Sequence, residues 1–200
     1  MKVQVLYSGG KDSSLAAILL EPFFDVELVT CTFGLERSWE NAREAARELG
    51  FPFKLVRLGP EIVDESIDVM LKFGYPRPGI NLVHRRALET VAVSREAKYL
   101  ADGTRRDDRA PMLTAPEVRS LEDAHDVRYI RPLAGYGRRA VDDLVARHLV
   151  IVEGDTAALA KADYEAEVRS ALRAWLGDDV YRRIFPPEHT QSRVLRRNRT

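Results

Sequence analysis

The sequence predicts an α/β fold in which helices cover both faces of a mostly parallel sheet of about five strands. Short apolar runs alternate along the chain with amphipathic stretches of helical period, and parallel strands require such helical crossovers. The runs are apolar throughout, as expected of strands that are buried on both faces. The chain of 200 residues is long enough for one domain of this kind with a small appendage.

The individual elements follow in order. The apolar run Val3–Tyr7 is predicted as the first strand, and a glycine turn separates it from the helical run Leu15–Leu20. The next helix carries its alanines on one stripe and ends at Gly50, because glycine is favoured just after a helix. Further strands are predicted at 25–33, 51–58, 98–102 and 128–131. Further helices are predicted at 35–49, 60–72, 81–97, 115–124, 138–148, 157–176 and 179–185, with irregular stretches at 74–79 and 186–200.

Composition excludes several classes of protein. The 31 basic and 31 acidic side chains cancel, so net charge gives no indication of a nucleic-acid or membrane partner. No apolar run approaches the length of a membrane span, and the chain enters a strand directly, without the pattern of a signal peptide. Cys31 is the one cysteine, so no disulfide forms within the chain. A reducing, cytoplasmic location is therefore expected.

The stretch Ser8–Ser14, which reads SGGKDSS, lies between the first strand and the first helix. Two adjacent glycines allow a sharp turn and a close approach of the backbone to a ligand. The helix that follows presents unpaired N–H groups at its positive end, which favours an anion. Serine hydroxyls add donors, and Asp12 can hold a magnesium ion against a polyphosphate. The stretch is therefore predicted to bind phosphate.

Two common phosphate motifs do not fit this stretch. A Walker loop needs Gly-Lys followed by Ser or Thr, but Asp12 follows Lys11, and Val5 stands where the earlier glycine of that motif belongs. A dinucleotide fingerprint needs three glycines, and only an adjacent pair is present. The spelling SGGxDS resembles instead the signature of the PP-loop ATP pyrophosphatases of the adenine nucleotide α-hydrolase type. The resemblance implies a Rossmann-like HUP sandwich of three layers that binds ATP and Mg²⁺ and cleaves ATP between the α and β phosphates.

A second stretch supports this interpretation. Gly103 follows the predicted strand 98–102, and with Asp107 and Asp108 it spells Gly-x-x-x-Asp-Asp. This resembles the GHxxDD element of PP-loop enzymes, although Thr104 stands where histidine is frequent. The resemblance implies that the two carboxylates assist metal or substrate binding, and Arg105 is suited to bidentate contact with phosphate. The alternative is a solvated loop whose charges pair among themselves.

The resemblance also implies roles for individual residues. The end of the second strand lines the adenine pocket in the family, although core packing is the alternative role for Phe33. Lys11 is expected to neutralise charge on the departing pyrophosphate, the alternative being a surface lysine. The implied catalytic residues are Asp12, Lys11 and Asp108, and the implied magnesium ligands are Asp12, Asp107 and Asp108. The implied ATP contacts are Ser8, Gly9, Gly10, Lys11, Asp12, Ser13, Ser14, Thr32, Phe33, Gly103 and Arg105.

The acceptor stays open between three hypotheses. The first is an RNA base carbonyl in a thiolation-type modification of tRNA, with the tRNA bound by the arginine-rich tail. Cys31 is expected to be a core residue, so sulfur or ammonia would come from a carrier protein. The second is an ATP-dependent ligase that forms an amide on a small carboxylate, and the third is a regulatory ATP-binding protein with little turnover.

The organisation of the chain follows from these patterns. Residues 1–150 are predicted as the nucleotide-binding domain, and residues 151–200 as a helical extension with a basic tail. The tail is expected to bind a phosphate backbone or to be a flexible end. Its polar group, His189, Gln191 and Ser192, is a candidate for folding back over the site. His84 is expected to be a satisfied helical histidine, with a position facing the site as the alternative.

Overall fold

The computed structural model describes residues 1–155, 164–185 and 190–198, and within them strands and helices alternate as the sequence predicts. The strands are β1 (Lys2–Leu6), β2 (Asp25–Thr32), β3 (Phe53–Arg57), β4 (Tyr99–Ala101), β5 (Arg128–Ile130), β6 (Leu149–Asp155) and β7 (Thr190–Arg197). The helices are α1 (Lys11–Leu20), α2 (Trp39–Leu49), α3 (Glu61–Phe73), α4 (Arg77–Val93), α5 (Ala115–His125), α6 (Arg138–His148) and α7 (Tyr164–Ile184).

The central sheet has five strands in the order β3-β2-β1-β4-β5, and every pair is parallel. At its centre Val5 of β1 is level with Leu28 on one side and Ala101 on the other. The chain runs outward from β1 to β3 and then crosses back to β4. Ligands in open α/β sheets bind where the direction of strand order reverses, so the carboxyl ends of β1 and β4 mark the expected site.

Two hydrophobic layers cover the sheet. One contains Val3 and Val5 with apolar residues of α1, α2 and α6. The other contains Val29 and Cys31 with apolar residues of α3, α4, α5 and α7. The strands are therefore buried on both faces, and the predicted three-layer α/β sandwich is confirmed.

Two predicted boundaries were wrong. The stretch 74–79 is irregular only at its start, because α4 already begins at Arg77, and a proline in the first turn costs no hydrogen bond. The helix predicted from residue 35 begins at Trp39, after a loop that α7 holds in place. The predicted break between the last two helices is confirmed, because Gly177, with a φ of 83°, interrupts α7. The predicted start at residue 157 lies outside the described residues.

The tail was predicted to be irregular, and this is also wrong. Strand β7 pairs antiparallel with β6 and forms a second, two-stranded sheet. Val194 of β7 is buried in the hydrophobic layer that also contains residues of α1 and α2. The local sequence is rich in arginine and gives no strand pattern, so only the pairing with β6 orders it. Within the described ranges no helix is long and apolar enough to cross a bilayer, and the boundary at residue 150 stays a prediction.

Candidate functional site

The turn between β1 and α1 owes its shape to its glycines. Gly9 has a φ of 77°, and a Cβ at this position would lie 3.2 Å from the Cα of Ala42 in α2. Gly10 is extended and forms the N-cap of α1 without a side-chain cap. The positive end of α1 therefore has no capping side chain at Gly10, which favours an anion at this end, although the N–H of Lys11 is bound by Ser192 as described below.

The three serines of the turn differ in their positions. Ser8 and Ser13 line the cavity described below, and their hydroxyl oxygens are 3.5 Å apart. Ser14 is fully buried, and its hydroxyl donates to the carbonyl oxygen of Gly10 at 2.8 Å. The Ser14 hydroxyl thus stabilises the turn from inside.

Gly103 brings the second predicted stretch against the first. A Cβ on Gly103 would lie 2.6 Å from the backbone nitrogen of Ser13, so only glycine permits this approach. Beyond it, the Nη2 of Arg105 lies 2.6 Å from the Oδ1 of Asp108, and its Nε lies 3.7 Å from the Oδ2 of Asp12. Burial alone lowers the pKa of Arg105, but its hydrogen bond to Asp108 and the charge of Asp12 raise the pKa overall.

Asp107 shares Arg105 with the other two predicted carboxylates and also binds a helix end. Its Oδ1 lies 3.8 Å from the Nε of Arg105, and its Oδ2 accepts the backbone N–H of Arg138 at 2.9 Å, at the first residue of α6. This hydrogen bond lowers the pKa of Asp107. Asp12, Asp107 and Asp108 therefore lie around one guanidinium, and their role as magnesium ligands stays a prediction. Among the residues that the structure describes, no group of three or more His, Cys, Asp or Glu side chains is placed to hold a metal ion.

Lys11 does not line the cavity. Its Nζ lies 2.7 Å from Asp142 of α6 and 3.1 Å from Glu153 of β6. Burial opposes its charge, but these two carboxylates raise the pKa of Lys11 overall. Both ion pairs compete with a phosphate for the ammonium group, and its predicted catalytic role stays a prediction.

Strand β7 lies against the glycine turn. The N–H of Lys11 donates to the Ser192 hydroxyl at 3.3 Å, and the N–H of Val194 donates to the carbonyl oxygen of Gly9 at 3.3 Å. Gln191 lines the cavity. The prediction that Gln191 and Ser192 fold back over the site is confirmed, and His189 lies outside the described residues.

The arginines of β7 are largely engaged within the chain. The Nη2 of Arg193 lies 3.1 Å from Glu44 of α2. The Nη1 of Arg197 lies 2.8 Å from Glu21, and its guanidinium stacks over the ring of Phe51. These ion pairs reduce the positive charge that the tail can offer to another molecule.

The predicted adenine contacts are bound by a residue that the sequence did not reveal. Glu167 of α7 is 1% exposed, and its carboxylate accepts the Thr32 hydroxyl at 3.0 Å and the N–H of Phe33 at 2.7 Å. It also accepts the N–H of Leu35 at 2.8 Å. Phe33 packs in the core. In the sequence, the one sign of Glu167 as a partner is that a glutamate stands in an apolar stretch of a helix. This pattern does not show which amides the glutamate binds.

A second buried network includes His84, whose position facing the site was the alternative prediction. The Nε2 of His84 lies 2.8 Å from the Oδ2 of Asp102, at the end of β4. Asp102 also accepts the hydroxyl of Tyr129, together with the N–H and hydroxyl of Thr104 at 2.9 Å and 2.7 Å. Burial alone raises the pKa of Asp102, but the hydrogen bonds, that from His84 first, lower the pKa overall.

The glycine turn, the Gly103 loop and the His84 network border one cavity of about 1120 Å³, a volume slightly above that of ordinary small-molecule sites. Its walls come from the glycine turn, the loop after β4, the first half of α4 and helix α7. Four exposed arginines on three of these elements stand around it, and within the described ranges none of them forms an ion pair. These rim arginines are Arg77, Arg109, Arg182 and Arg183.

Comparison with known proteins gives a family and a shared fold. A family model described as a family of unknown function, DUF7411, matches residues 1–196. The chain is 40% identical over 196 residues to the uncharacterized protein MJ0690 of Methanocaldococcus jannaschii, which corresponds to 98% of this chain and 96% of that protein.

Two solved structures are similar. One, a predicted subunit of tRNA methyltransferase from Methanocaldococcus jannaschii, matches with a TM-score of 0.89 and 39% identity over 100% of this chain and 98% of that one. The other is the U34-tRNA thiolase NcsA from Methanococcus maripaludis with its [4Fe-4S] cluster. It matches with a TM-score of 0.51 and 17% identity over 92% of this chain and 69% of that one, a level at which the fold alone is shared.

Proposed function

Because the chain belongs to the family of unknown function DUF7411, we propose its function from its own site. The chain is a PP-loop ATP pyrophosphatase that binds Mg-ATP and adenylates an acceptor oxygen, with release of pyrophosphate, in the modification of tRNA. One observation carries the proposal. The SGGKDSS turn and the Gly103 loop meet at the point where the strand order reverses, and both open into one large cavity.

Each part of this site has a chemical task. The amides at the start of α1 and the hydroxyls of Ser8 and Ser13 hold phosphate oxygens. Arg105, oriented by Asp108, stabilises the negative charge that develops on the leaving pyrophosphate. Asp12 is a suitable ligand for Mg²⁺, which prefers oxygen donors and takes most of them from phosphate and water. When bound, the ion neutralises charge on the phosphate oxygens.

The reaction is tested with ATP labelled at its α-phosphate, incubated with magnesium, with and without bulk tRNA. We expect labelled AMP, with more of it when tRNA is present. In Asp12→Asn we expect AMP formation to fall by about 10²-fold or more, since such electrostatic contacts contribute that much in other enzymes. Asp25→Asn is the matched control, because Asp25 lies at the opposite end of the sheet and pairs with the N-terminus. Undiminished turnover in Asp12→Asn, or ADP as the product, would contradict the proposal.

The rim arginines support RNA as the acceptor. Arginines without an ion pair of their own are suited to bind a phosphate backbone, and Arg77, Arg109, Arg182 and Arg183 form no ion pair within the described residues, although the charge of Arg182 acts on Asp178. The tail arginines Arg193 and Arg197 are less suited, because both are paired to glutamates. We therefore place the RNA contact at the mouth of the cavity, with the tail in a smaller role.

The location of the RNA contact is tested by measuring tRNA binding over a range of salt concentrations. In Arg77→Gln/Arg182→Gln we expect weaker binding and a salt slope reduced by about one for each lost phosphate contact. Arg193→Gln/Arg197→Gln is the matched control with the same charge change. If tRNA binding weakened more in that control, the RNA contact would lie in the tail rather than at the mouth of the cavity.

Sulfur, if it is transferred, comes from a partner. An iron–sulfur cluster is held by several cysteine thiolates, and the chain has one cysteine. Burial raises the pKa of the Cys31 thiol to about 12, so it is a poor nucleophile at neutral pH. A sulfur-carrier or ammonia-donor protein is the proposed partner.

A regulatory ATP-binding role with little turnover is the second candidate, and two features favour it. The Ser192 hydroxyl accepts the N–H of Lys11, the first residue of α1, and the Lys11 ammonium is held by two carboxylates. Both features engage groups that the proposed reaction would use, so they favour little turnover. Tight ATP binding without release of pyrophosphate, measured by calorimetry beside the labelled assay, would select this role over catalysis.

A further inference from the structure

A chain of hydrogen bonds connects the cavity to a buried carboxylate, and the phosphate chemistry proposed above does not use it. The hydroxyl of Tyr164, in the first turn of α7, lies 2.6 Å from the Nδ1 of His84. The Nε2 of His84 lies 2.8 Å from the Oδ2 of Asp102. These three residues line the cavity from α7, α4 and the end of β4, and Asp102 directly precedes Gly103, which touches the phosphate turn.

The surroundings of Asp102 indicate which ring nitrogen of His84 donates a hydrogen bond and which accepts one. Its carboxylate accepts the N–H and the hydroxyl of Thr104 and the hydroxyl of Tyr129, a set of donors that suits an ionised carboxylate. An ionised carboxylate accepts but does not donate. The Nε2 of His84 must therefore carry a proton and donate it. In a neutral imidazole the Nδ1 then has a free lone pair, which faces the Tyr164 hydroxyl and accepts its proton.

This is the arrangement by which an acid, a histidine and a hydroxyl cooperate in proton transfer. The carboxylate holds the imidazole in one tautomer and stabilises the imidazolium that forms, and the histidine is the base for the hydroxyl. Tyr129 belongs to the same network but does not line the cavity. Thr104 lines the cavity too, but its hydroxyl donates to Asp102. Tyr164, on the partly exposed first turn of α7, is the hydroxyl at the cavity wall that faces His84.

We propose that Tyr164 is a catalytic residue that removes a proton from the acceptor, with His84 as the base behind it and Asp102 as the positioning residue. The inference rests on the proposed adenylation and names its acceptor class as a lactam, an amide carbonyl beside a ring N–H, of a nucleobase. A lactam oxygen becomes a nucleophile when that N–H is deprotonated.

The step balances as follows. The N–H bond of the lactam breaks, its proton moves to the Tyr164 oxygen, and the hydroxyl proton of Tyr164 moves to the Nδ1 of His84. The lactam oxygen forms a bond to the α-phosphorus of ATP, and the bond from that phosphorus to the bridging oxygen breaks. The products are the adenylated base, pyrophosphate and one proton held on His84 beside Asp102.

The first test measures the tautomer without any substrate. The protein labelled with ¹⁵N in its four histidines is studied by NMR at neutral pH, and His84→Gln identifies the His84 signals by their loss. We expect the proton on Nε2, which faces Asp102, and none on Nδ1, which faces Tyr164. We also expect the Nδ1 signal to shift in Tyr164→Phe, because its partner is removed. A proton on Nδ1 would overturn the proposal, since that nitrogen could then accept nothing from Tyr164.

The second test separates proton transfer from folding and from nucleotide binding. In Tyr164→Phe we expect kcat for tRNA-dependent AMP formation to fall by about 10²-fold or more, with the KM for ATP nearly unchanged, as for loss of a general acid–base group. In Tyr164→Phe/His84→Gln we expect no further loss, because the two residues act as one unit. Tyr75→Phe is the control, since it removes a hydroxyl from another tyrosine of the cavity that is 48% exposed.

The outcomes distinguish this inference from the function on which it rests. Normal kcat in Tyr164→Phe, with AMP formed by the unchanged protein, overturns the relay and leaves the adenylation intact. No AMP from the unchanged protein overturns the adenylation and with it this proton transfer. A fall in kcat that is equalled by Tyr75→Phe shows a general effect on the cavity and also overturns the relay.

Discussion

Cys31 lies between the hydrophobic core and the cavity, and its surroundings hold it as a thiol. It is 4% exposed, and burial raises its pKa to about 12. At pH 8 the thiolate fraction is then about one in 10⁴. We expect no reaction with a thiol-specific reagent in the folded protein and full reaction after unfolding in urea, followed by absorbance. Rapid labelling of the folded protein would instead indicate an activated thiol and would support a role in sulfur transfer.

Gly103 is the residue at which the two predicted motifs touch. In Gly103→Ala the new Cβ would meet the backbone of Ser13 at 2.6 Å, so the loop after β4 must move away from α1. We expect a loss of about 1–3 kcal/mol in the free energy of unfolding and a clear loss of ATP affinity, measured by urea unfolding and calorimetry. In the control Gly135→Ala the Cβ meets nothing within 4 Å. Equal behaviour of both variants would contradict the close packing of the two loops.

One buried carboxylate of helix α7 forms hydrogen bonds to the end of β2 and to the loop that follows it. Glu167 accepts the N–H groups of Phe33 and Leu35 and the hydroxyl of Thr32. In Glu167→Gln an amide N–H₂ would face some of these donors, and the remaining hydrogen bonds would lose their charge. We expect a loss of about 3 kcal/mol in the free energy of unfolding, measured by urea unfolding.

The control for that variant lies on the same helix. Glu165 pairs with Arg169 at 2.8 Å with both side chains partly exposed, so Glu165→Gln is expected to cost about 0.5 kcal/mol. A similar cost for both glutamates would show that α7 is held by its apolar contacts alone. Because α7 also carries Tyr164, the docking of this element and the chemistry of the cavity are linked.

The whole molecule is expected to lose stability in acid. Several carboxylates have a lowered pKa in the folded chain, among them the buried Asp102 and the capping-box residue Glu117. A carboxylate whose folded pKa lies below its unfolded value, about 4 for these types, stabilises the fold above that value. This stabilisation disappears as the pH falls through the folded pKa, because the unfolded chain then binds more protons.

Asp102→Asn tests this dependence. The variant loses stability at neutral pH, because the network around His84 is disturbed, but it also loses one of the groups that titrate on unfolding. Urea unfolding at a series of pH values between about 5 and 3 should therefore show a shallower fall in the free energy of unfolding than in the unchanged protein. An unaltered slope would mean that Asp102 titrates alike in the folded and unfolded chains.

The sequence by itself determined the sheet and the position of the site. Alternating apolar runs and amphipathic helices depend on neighbours within a few residues, and so does the SGGKDSS turn, whose glycines and serines are local. From these it follows that the glycine turn and the Gly103 loop emerge at the same edge of a parallel sheet. The fold class follows from these local patterns, and the five-stranded parallel sheet confirms it.

The tertiary structure decided which side chains meet. Glu167 reaches amides more than 130 residues away, Tyr164 reaches His84 across 80 residues, and β7 is ordered by its pairing with β6. No local period marks such pairs, because a buried polar group is stabilised by whichever donor or acceptor the folded chain brings to it. For the same reason the sequence does not show that Lys11 pairs with two carboxylates or that Asp107 accepts the N–H of a helix end, because distant parts of the chain supply these partners.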